Sequence, residues 1–308
     1  MNLTMYKLLA LDMDGTLLNK EHKISRENFE AIQEALHMGV KVVLASGRIF
    51  GGMLSHLKQL NLVNDDNYSV SCAGGLVLNN TMSKIIQSNG LSIDDLKYVY
   101  GLTKELNLSL NIYTRDSILA FQDDIFSRFD AIANNVPLKI VDINSLRDDV
   151  EIYKMTIIND SIDVIMEARE FLEKLCPKDI IQDKCFKDIK RLECDVLDKI
   201  SVKISDKYTV VKPLQFALEV INKDCNKWTG IKKIAEELGI QNEEIICIGD
   251  SENDEHMIKN AGLGVAMGNG FSKIKEIADY VTYTNDQHGV AHVINKFILG
   301  KEIAYAED

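Results

Sequence analysis

The chain is short of proline, with three in 308 residues, and it has one tryptophan. Neither proline-rich linkers nor low-complexity tracts are present, so little of it should be disordered. No window approaches the roughly 20 consecutive apolar residues of a membrane-spanning helix. The N-terminal stretch MNLTMYKLLALDMDG meets charge before any useful apolar length, and no signal peptide is expected. Six cysteines, at 72, 176, 185, 194, 225 and 247, include no CxxC pair. That disfavours a disulfide framework or a zinc ribbon, and the even spacing of Cys176, Cys185 and Cys194 is expected to be coincidence. A cytoplasmic protein with reduced thiols follows as the expectation. Lys and Arg are outnumbered by Asp and Glu, 35 to 47, and no basic run breaks the net charge of −12. Nucleic acid and anionic membranes would be repelled at long range, which leaves a small molecule as the expected partner of a monomer or small homo-oligomer.

What is present is a rhythm. Tyr6–Leu11 is a short apolar run stopped by DMDGT, as a buried parallel strand would be. Ser25 caps a helical stretch with Phe29, Ile32, Ala35 and Leu36 on one face and Gly39 at its end. Val40–Ala45 reads as a second strand ended by SGR, then a helix through Leu54 and Leu57, then a strand at Tyr68–Cys72. The pattern returns near the C-terminus: helix Trp228–Leu238, strand Glu244–Ile248, the sequence GDSEND, helix Glu255–Asn260 and strand Leu263–Met267. Helix Phe271–Ala278, strand Tyr280–Tyr283 and a helix from Gly289 follow. Strand–helix–strand repeats of this length predict an α/β fold, a Rossmann-like parallel sheet with helices on both faces, with both blocks in one sheet.

Between the blocks the texture changes. Ser92–Asn107 reads as helix, Leu108–Phe121 as an antiparallel hairpin, Val150–Asn159 as strand, Ser161–Leu175 as helix and Leu197–Val211 as a further alternating segment. The expected organisation is a core of 1–84 and 216–308 interrupted by an α+β domain at 85–215. The stretch 180–200 fits neither period.

Polar residues follow the apolar strands, and in open parallel sheets ligands bind beyond the carboxyl ends of the strands. Asp12 and Asp14 follow the first strand, Ser46 the second and Asp250 the strand EIICI. In an extended chain residues two apart point the same way, so the carboxylates of Asp12 and Asp14 are expected to face one cavity. Two like charges there call for a cation, and magnesium prefers oxygen ligands. Each motif alone has a bland alternative: DxDG as a solvated turn, GDSEND and SGR as helix caps. His288 and His292, four apart, are expected to be surface residues rather than metal ligands.

Together, DMDGT (12–16), ASGR (45–48), Lys227 and GDSEND (249–254) resemble the four motifs of the haloacid dehalogenase-like phosphatases, and more narrowly the Cof-type subfamily. ALDMDGTLLNKEHKIS, ALHMGVKVVLASGR, IICIGDSENDEHMIKNAGLGVAMGNG and TNDQHGVAHVI carry the narrower likeness. The resemblance implies a magnesium-dependent phosphatase of small phosphomonoesters, sugar phosphates foremost, working through an aspartyl-phosphate. It implies Asp12 as nucleophile and metal ligand, and Asp14 as general acid and base whose backbone carbonyl also binds the metal. Asp250 would complete the metal site, with Asp254 supporting it from behind. Met13, Ser46, Gly47, Lys227 and Asn253 would hold the phosphate. The insert after Ser46 resembles a C2-type cap, a lid that excludes water and contacts the rest of the substrate. Two features depart from the pattern. Cys72-Ala73-Gly74-Gly75 replaces the usual Asn-Gly, and Trp228 rather than Gly follows Lys227. A sugar phosphomutase shares every core motif and is one alternative; a non-catalytic phospho-ligand sensor is another.

Overall fold

In the computed structural model, residues 6–106, 108–159, 196–214 and 217–301 are described. Cys176, Cys185, Cys194, the expected helix Ser161–Leu175 and all but the end of 180–200 lie outside them. In chain order the first block holds β1 (Leu8–Leu11), α1 (Arg26–His37), β2 (Lys41–Ala45), α2 (Phe50–Gln59), β3 (Tyr68–Ser71), β4 (Leu76–Asn79) and β5 (Ile85–Ser88). The insert follows with α3 (Ile93–Leu106), β6 (Ser109–Tyr113), β7 (Ile118–Ala120), α4 (Ile125–Asn134), β8 (Leu138–Ile140) and β9 (Lys154–Ile158). Then come α5 (Val196–Ile204), β10 (Tyr208–Leu214) and β11 (Ala217–Asn222). The last block holds α6 (Lys227–Leu238), β12 (Ile245–Gly249), α7 (Glu255–Asn260), β13 (Leu263–Ala266), α8 (Ser272–Ile277), β14 (Tyr280–Val281) and α9 (Gly289–Val293).

The chain divides into two compact units, one of Met1–Gly47, Met53–Ser88 and Cys225–Asp308, the other of Arg48–Gly52 and Asn89–Asp224. In the first unit both αβ blocks share one sheet, ordered β14-β13-β12-β1-β2-β3-β4-β5. The six strands from β14 to β3 are parallel, while β4 and β5 extend the edge as an antiparallel hairpin that the apolar rhythm did not reveal. Strands β1 and β12, and β2 after its first residue Lys41, are apolar because both their faces are covered. Leu8, Ala10, Val43, Ala45 and Cys247 pack on one side with Ile231 and Ile234 of α6 and Met257 and Ile258 of α7. From β1 the chain steps outward through β2 and β3, and after the insert it returns to β12, on the other side of β1. The reversal lies between β1 and β12, where open α/β sheets bind ligands.

The second unit contains a six-stranded sheet, β10-β11-β9-β6-β7-β8, antiparallel apart from the β7–β8 pair. Its apolar face, with Leu110, Ile112, Met155, Ile157, Leu218 and Val220, is covered by Leu96, Val99 and Leu102 of α3 and by Leu197, Ile200 and Ile204 of α5. One sequence expectation is overturned here: Leu197–Val211 is not one alternating strand but α5 followed by the start of β10. LDKISVKI satisfies both periods in part, and burial of Leu197, Ile200 and Ile204 at three- and four-residue spacing shows that the helical one prevails. Each of those side chains contributes about 1.5–3 kcal/mol by leaving water. The unit includes Ala217–Asn222, beyond position 215, because β11 pairs with β9 and β10. Among the described residues, no helix is long and apolar enough to cross a membrane.

Candidate active site

Register brings the motifs to one edge. Leu11 of β1 pairs with Ile248 of β12 on one side and Leu44 of β2 on the other. Asp12 is therefore one step past the pairing, with Asp250 and Ser46 two steps past on the flanking strands. The Asp12 N–H still donates to the Ile248 carbonyl (3.0 Å), the last rung before the chain turns.

Lys227, the first residue of α6, reaches into this edge with no solvent exposure. Its Nζ donates to Asp12 Oδ1 (2.5 Å) and Asp254 Oδ1 (2.6 Å). The other Asp254 oxygen accepts from the N–H groups of Asp250 and Ser251, both at 3.0 Å. This loop is folded so tightly that a Cβ on Gly249 would stand 2.5 Å from Asp254. Only glycine allows the carboxyl to turn back onto its own backbone. Asp250 Oδ1 accepts from the buried Thr16 hydroxyl (3.1 Å). Ligand oxygens of Asp12, Asp250 and Asp254 lie within 4.8 Å of one another.

Three carboxyls around one ammonium would leave two negative charges in a mostly buried space if all were ionised, and the ionisation behaviour follows. Burial, with Asp254 and Asp250 as like-charged neighbours, pushes the Asp12 carboxyl well above its ordinary range, although Lys227 pulls it down. Burial and Asp254 raise Asp250 to about 6. Burial works against the Lys227 charge, but Asp12 and Asp254 outweigh it and push that group up. The lysine is thus held as a cation, and the carboxyls lack one more positive partner. The donors are all oxygen, carboxyls outnumber the ammonium three to one, and Lys227, two N–H groups and the Ser251 hydroxyl already occupy Asp254. Such a set suits a hard divalent cation held by Asp12 and Asp250.

Asp14 does not join this group. Its side chain is 48% exposed, with Oδ1 3.8 Å from His22 Nδ1. Alternation along an extended chain fails as the reason for pairing it with Asp12. After Asp12 the chain coils back, the Leu17 and Leu18 N–H groups donating to the carbonyls of Asp12 and Met13. Met13 and Ser46 are buried, and Gly47 and Asn253 half-buried. Ser46 is fixed by its main chain, its N–H to Val70 and its carbonyl from the Ala73 N–H, each 2.9 Å. Asn253 Oδ1 accepts from the Ser251 hydroxyl (3.1 Å). His288 and His292 turn to other work: His288 lies 3.4 Å from Glu27, and His292 shares a hydrogen bond with the Tyr280 hydroxyl. Thr16, Asn269 and Asn285 were not singled out from the sequence, although each contacts the acidic edge or the loop leaving it. The available signal was position alone, since Asn269 follows strand β13.

The family profile of the haloacid dehalogenase-like hydrolases matches residues 9–294. The chain is 32% identical to YxeH of Bacillus subtilis over 299 residues, 96% of this chain and all of that one. It is 30% identical to the phosphatase YwpJ of the same organism over 304 residues, 95% of this chain and all of that one. The crystal structure of a haloacid dehalogenase-like hydrolase from Bacteroides thetaiotaomicron superposes with a TM-score of 0.76 at 28% identity, covering 94% of this chain and 99% of that one. The chain belongs to the haloacid dehalogenase-like hydrolases. Within them it is a Cof-type phosphatase, a phosphoric monoester hydrolase.

Proposed function

We propose that the protein is a magnesium-dependent phosphatase of small phosphomonoesters, sugar phosphates foremost, that works through an aspartyl-phosphate. The observation that carries this is the Lys227 ammonium wedged between Asp12 and Asp254, with Asp250 beside them, three carboxyls to one ammonium. Magnesium would be held by the carboxylates of Asp12 and Asp250 and the Asp14 carbonyl, and when bound it would supply positive charge to the phosphoryl oxygens.

An Asp12 carboxylate oxygen attacks phosphorus as the ester P–O bond breaks. Asp14, the exposed carboxyl two residues on, gives its proton to the leaving alkoxide. Water then attacks the mixed anhydride, Asp14 takes its proton, and inorganic phosphate leaves with Asp12 regenerated. Uncatalysed phosphate-monoester hydrolysis is among the slowest reactions known, so stabilising charge on the phosphoryl oxygens must supply much of the acceleration. Lys227, the Ser46 hydroxyl, the N–H groups of Met13 and Gly47, and Asn253 are assigned that task. Asp254, buried and held by four donors, keeps Lys227 and the 250–254 loop in place. The α+β unit is read as the cap domain.

A phosphate-release screen over phosphorylated metabolites, with magnesium and with EDTA, tests the reading. Release should require the metal, and Asp12→Asn should abolish it in a protein that still folds. Undiminished release by pure, folded Asp12→Asn would falsify the nucleophile.

A further inference from the structure

The loop that leaves β1 carries Asp14, yet much of its backbone is satisfied from the far end of the chain. Asn269 Nδ2 donates to the Gly15 carbonyl (2.8 Å), and Asn285 Nδ2 donates to the Leu18 carbonyl (2.9 Å). Asp286 Oδ1 accepts from the Lys20 N–H (3.0 Å). The Asn285 N–H donates in turn to Asn269 Oδ1 (2.9 Å), so the Asn269 amide is held at both ends. Its orientation is not arbitrary: a carbonyl on one side requires a donor, and an N–H on the other requires an acceptor. Beyond the clasp, the Asn19 side-chain oxygen takes the N–H groups of Glu21 and Lys23, which places His22 beside the Asp14 carboxyl.

What the clasp grips is chemically consequential. Gly15 directly follows Asp14, adopts a φ of +80°, and approaches Asp250 so closely that a Cβ there would lie 2.4 Å from Oδ2. Movement of the Gly15 carbonyl would alter the spacing between Asp14 and Asp250. Asn269 is exposed, and solvated neutral hydrogen bonds contribute little to global stability. Asn269 and Asn285 are uncharged, so their influence on Asp14 would be one of placement.

The geometry points to Asn269 and Asn285 as positioning residues for the proton-transfer step: they clamp the main chain at Gly15 and Leu18 and so hold the Asp14 carboxyl where the leaving oxygen departs. This rests on the reading of Asp14 as general acid, and the experiment separates the two. Asn269→Ala, Asn285→Ala, the double variant and Asp14→Asn are compared with the parent enzyme. The aryl probe is p-nitrophenyl phosphate, whose leaving group needs little protonation. The alkyl probe is whichever of glucose 6-phosphate, ribose 5-phosphate and glycerol 3-phosphate the parent turns over fastest.

Misplacement by about 1 Å can cost on the order of 100-fold. Each Asn variant should therefore lose roughly 10- to 100-fold in kcat/KM, which reports only the steps up to departure of the leaving group, on the alkyl ester and less than about threefold on the aryl ester. The double variant should lose no more than the worse single one, because the two side chains act as one clasp. Equal losses of kcat/KM on both esters, losses that follow a fall in melting temperature, or an unchanged alkyl kcat/KM would each overturn the assignment. If Asp14→Asn discriminates between the esters and the Asn variants do not, the clasp alone fails. If Asp14→Asn does not discriminate, the acid role fails and takes the clasp with it.

Discussion

Asp250 shows how one side chain can report on the whole site. Its ordinary value is 3.8, and in the folded chain without metal burial and Asp254 raise it to about 6. A carboxyl raised on folding binds its proton more tightly in the native state. Its stabilising contribution is complete below about pH 4 and is lost as pH rises through about 6. Over the interval from pH 5 to pH 7 this amounts to about 1 kcal/mol. In EDTA, the parent protein should lose that much more stability across the interval than Asp250→Asn, which cannot titrate. Chemical denaturation at the two pH values measures the difference, and parallel behaviour of the two proteins would show that Asp250 is not buried among like charges. At the same scale, the strand ends led to the expectation of Asp12, Asp14, Ser46 and Asp250 at one edge, and the structure groups Asp12 and Asp250 with Asp254, a residue that only the family resemblance had brought forward. Thr16 and Asn269 stayed invisible because a lone Thr or Asn in a turn has many ordinary uses.

Helix α6 is the element on which the site most depends, since it begins with Lys227. Asn226 caps it: its side chain accepts from the Thr229 N–H (3.0 Å), and the Asn226 N–H donates to the Thr229 hydroxyl (3.2 Å). Loss of such a cap costs about 1 kcal/mol. Here it also frees the turn that aims Lys227 at Asp12. Asn226→Ala should lower the melting temperature by a few degrees and reduce kcat by roughly tenfold, more than the stability loss alone explains. Steady-state kinetics well below the melting transition distinguish the two effects. Elements were unevenly legible. Strands β1 and β12 announced themselves as unbroken apolar runs, and β2 as one interrupted only by Lys41, because both faces are buried. Strands β4 and β5 did not, and α5 was misread because its short sequence fits a strand and a helix almost equally until its packing partners are known.

For the molecule as a whole, the charge balance gives the most direct test. A chain of net charge −12 that also gathers three carboxyls around the single ammonium of Lys227 should be stabilised by a divalent cation beyond any ionic-strength effect. Magnesium at 100 times its Kd should add about 2.7 kcal/mol by mass action, seen as a rise in melting temperature. Sodium chloride of equal ionic strength should not reproduce it, and Asp250→Asn should blunt it. No such rise would remove the metal from the site.

Much of this protein was decided by sequence acting locally. Apolar runs form strands because they bury both faces, and acidic residues placed just after them must emerge at a strand's carboxyl end. Those two facts determined the α/β class and the chemistry on offer. Which side chains meet was decided only by the tertiary structure, through the order β13-β12-β1-β2 and its register. Asp14 stands outside the cluster of Asp12, Asp250 and Asp254 because the chain stops being extended there. Asn269 and Asn285 found Gly15 and Leu18 across the fold because hydrogen bonds act through space, and no local pattern encodes a partner more than 250 residues away.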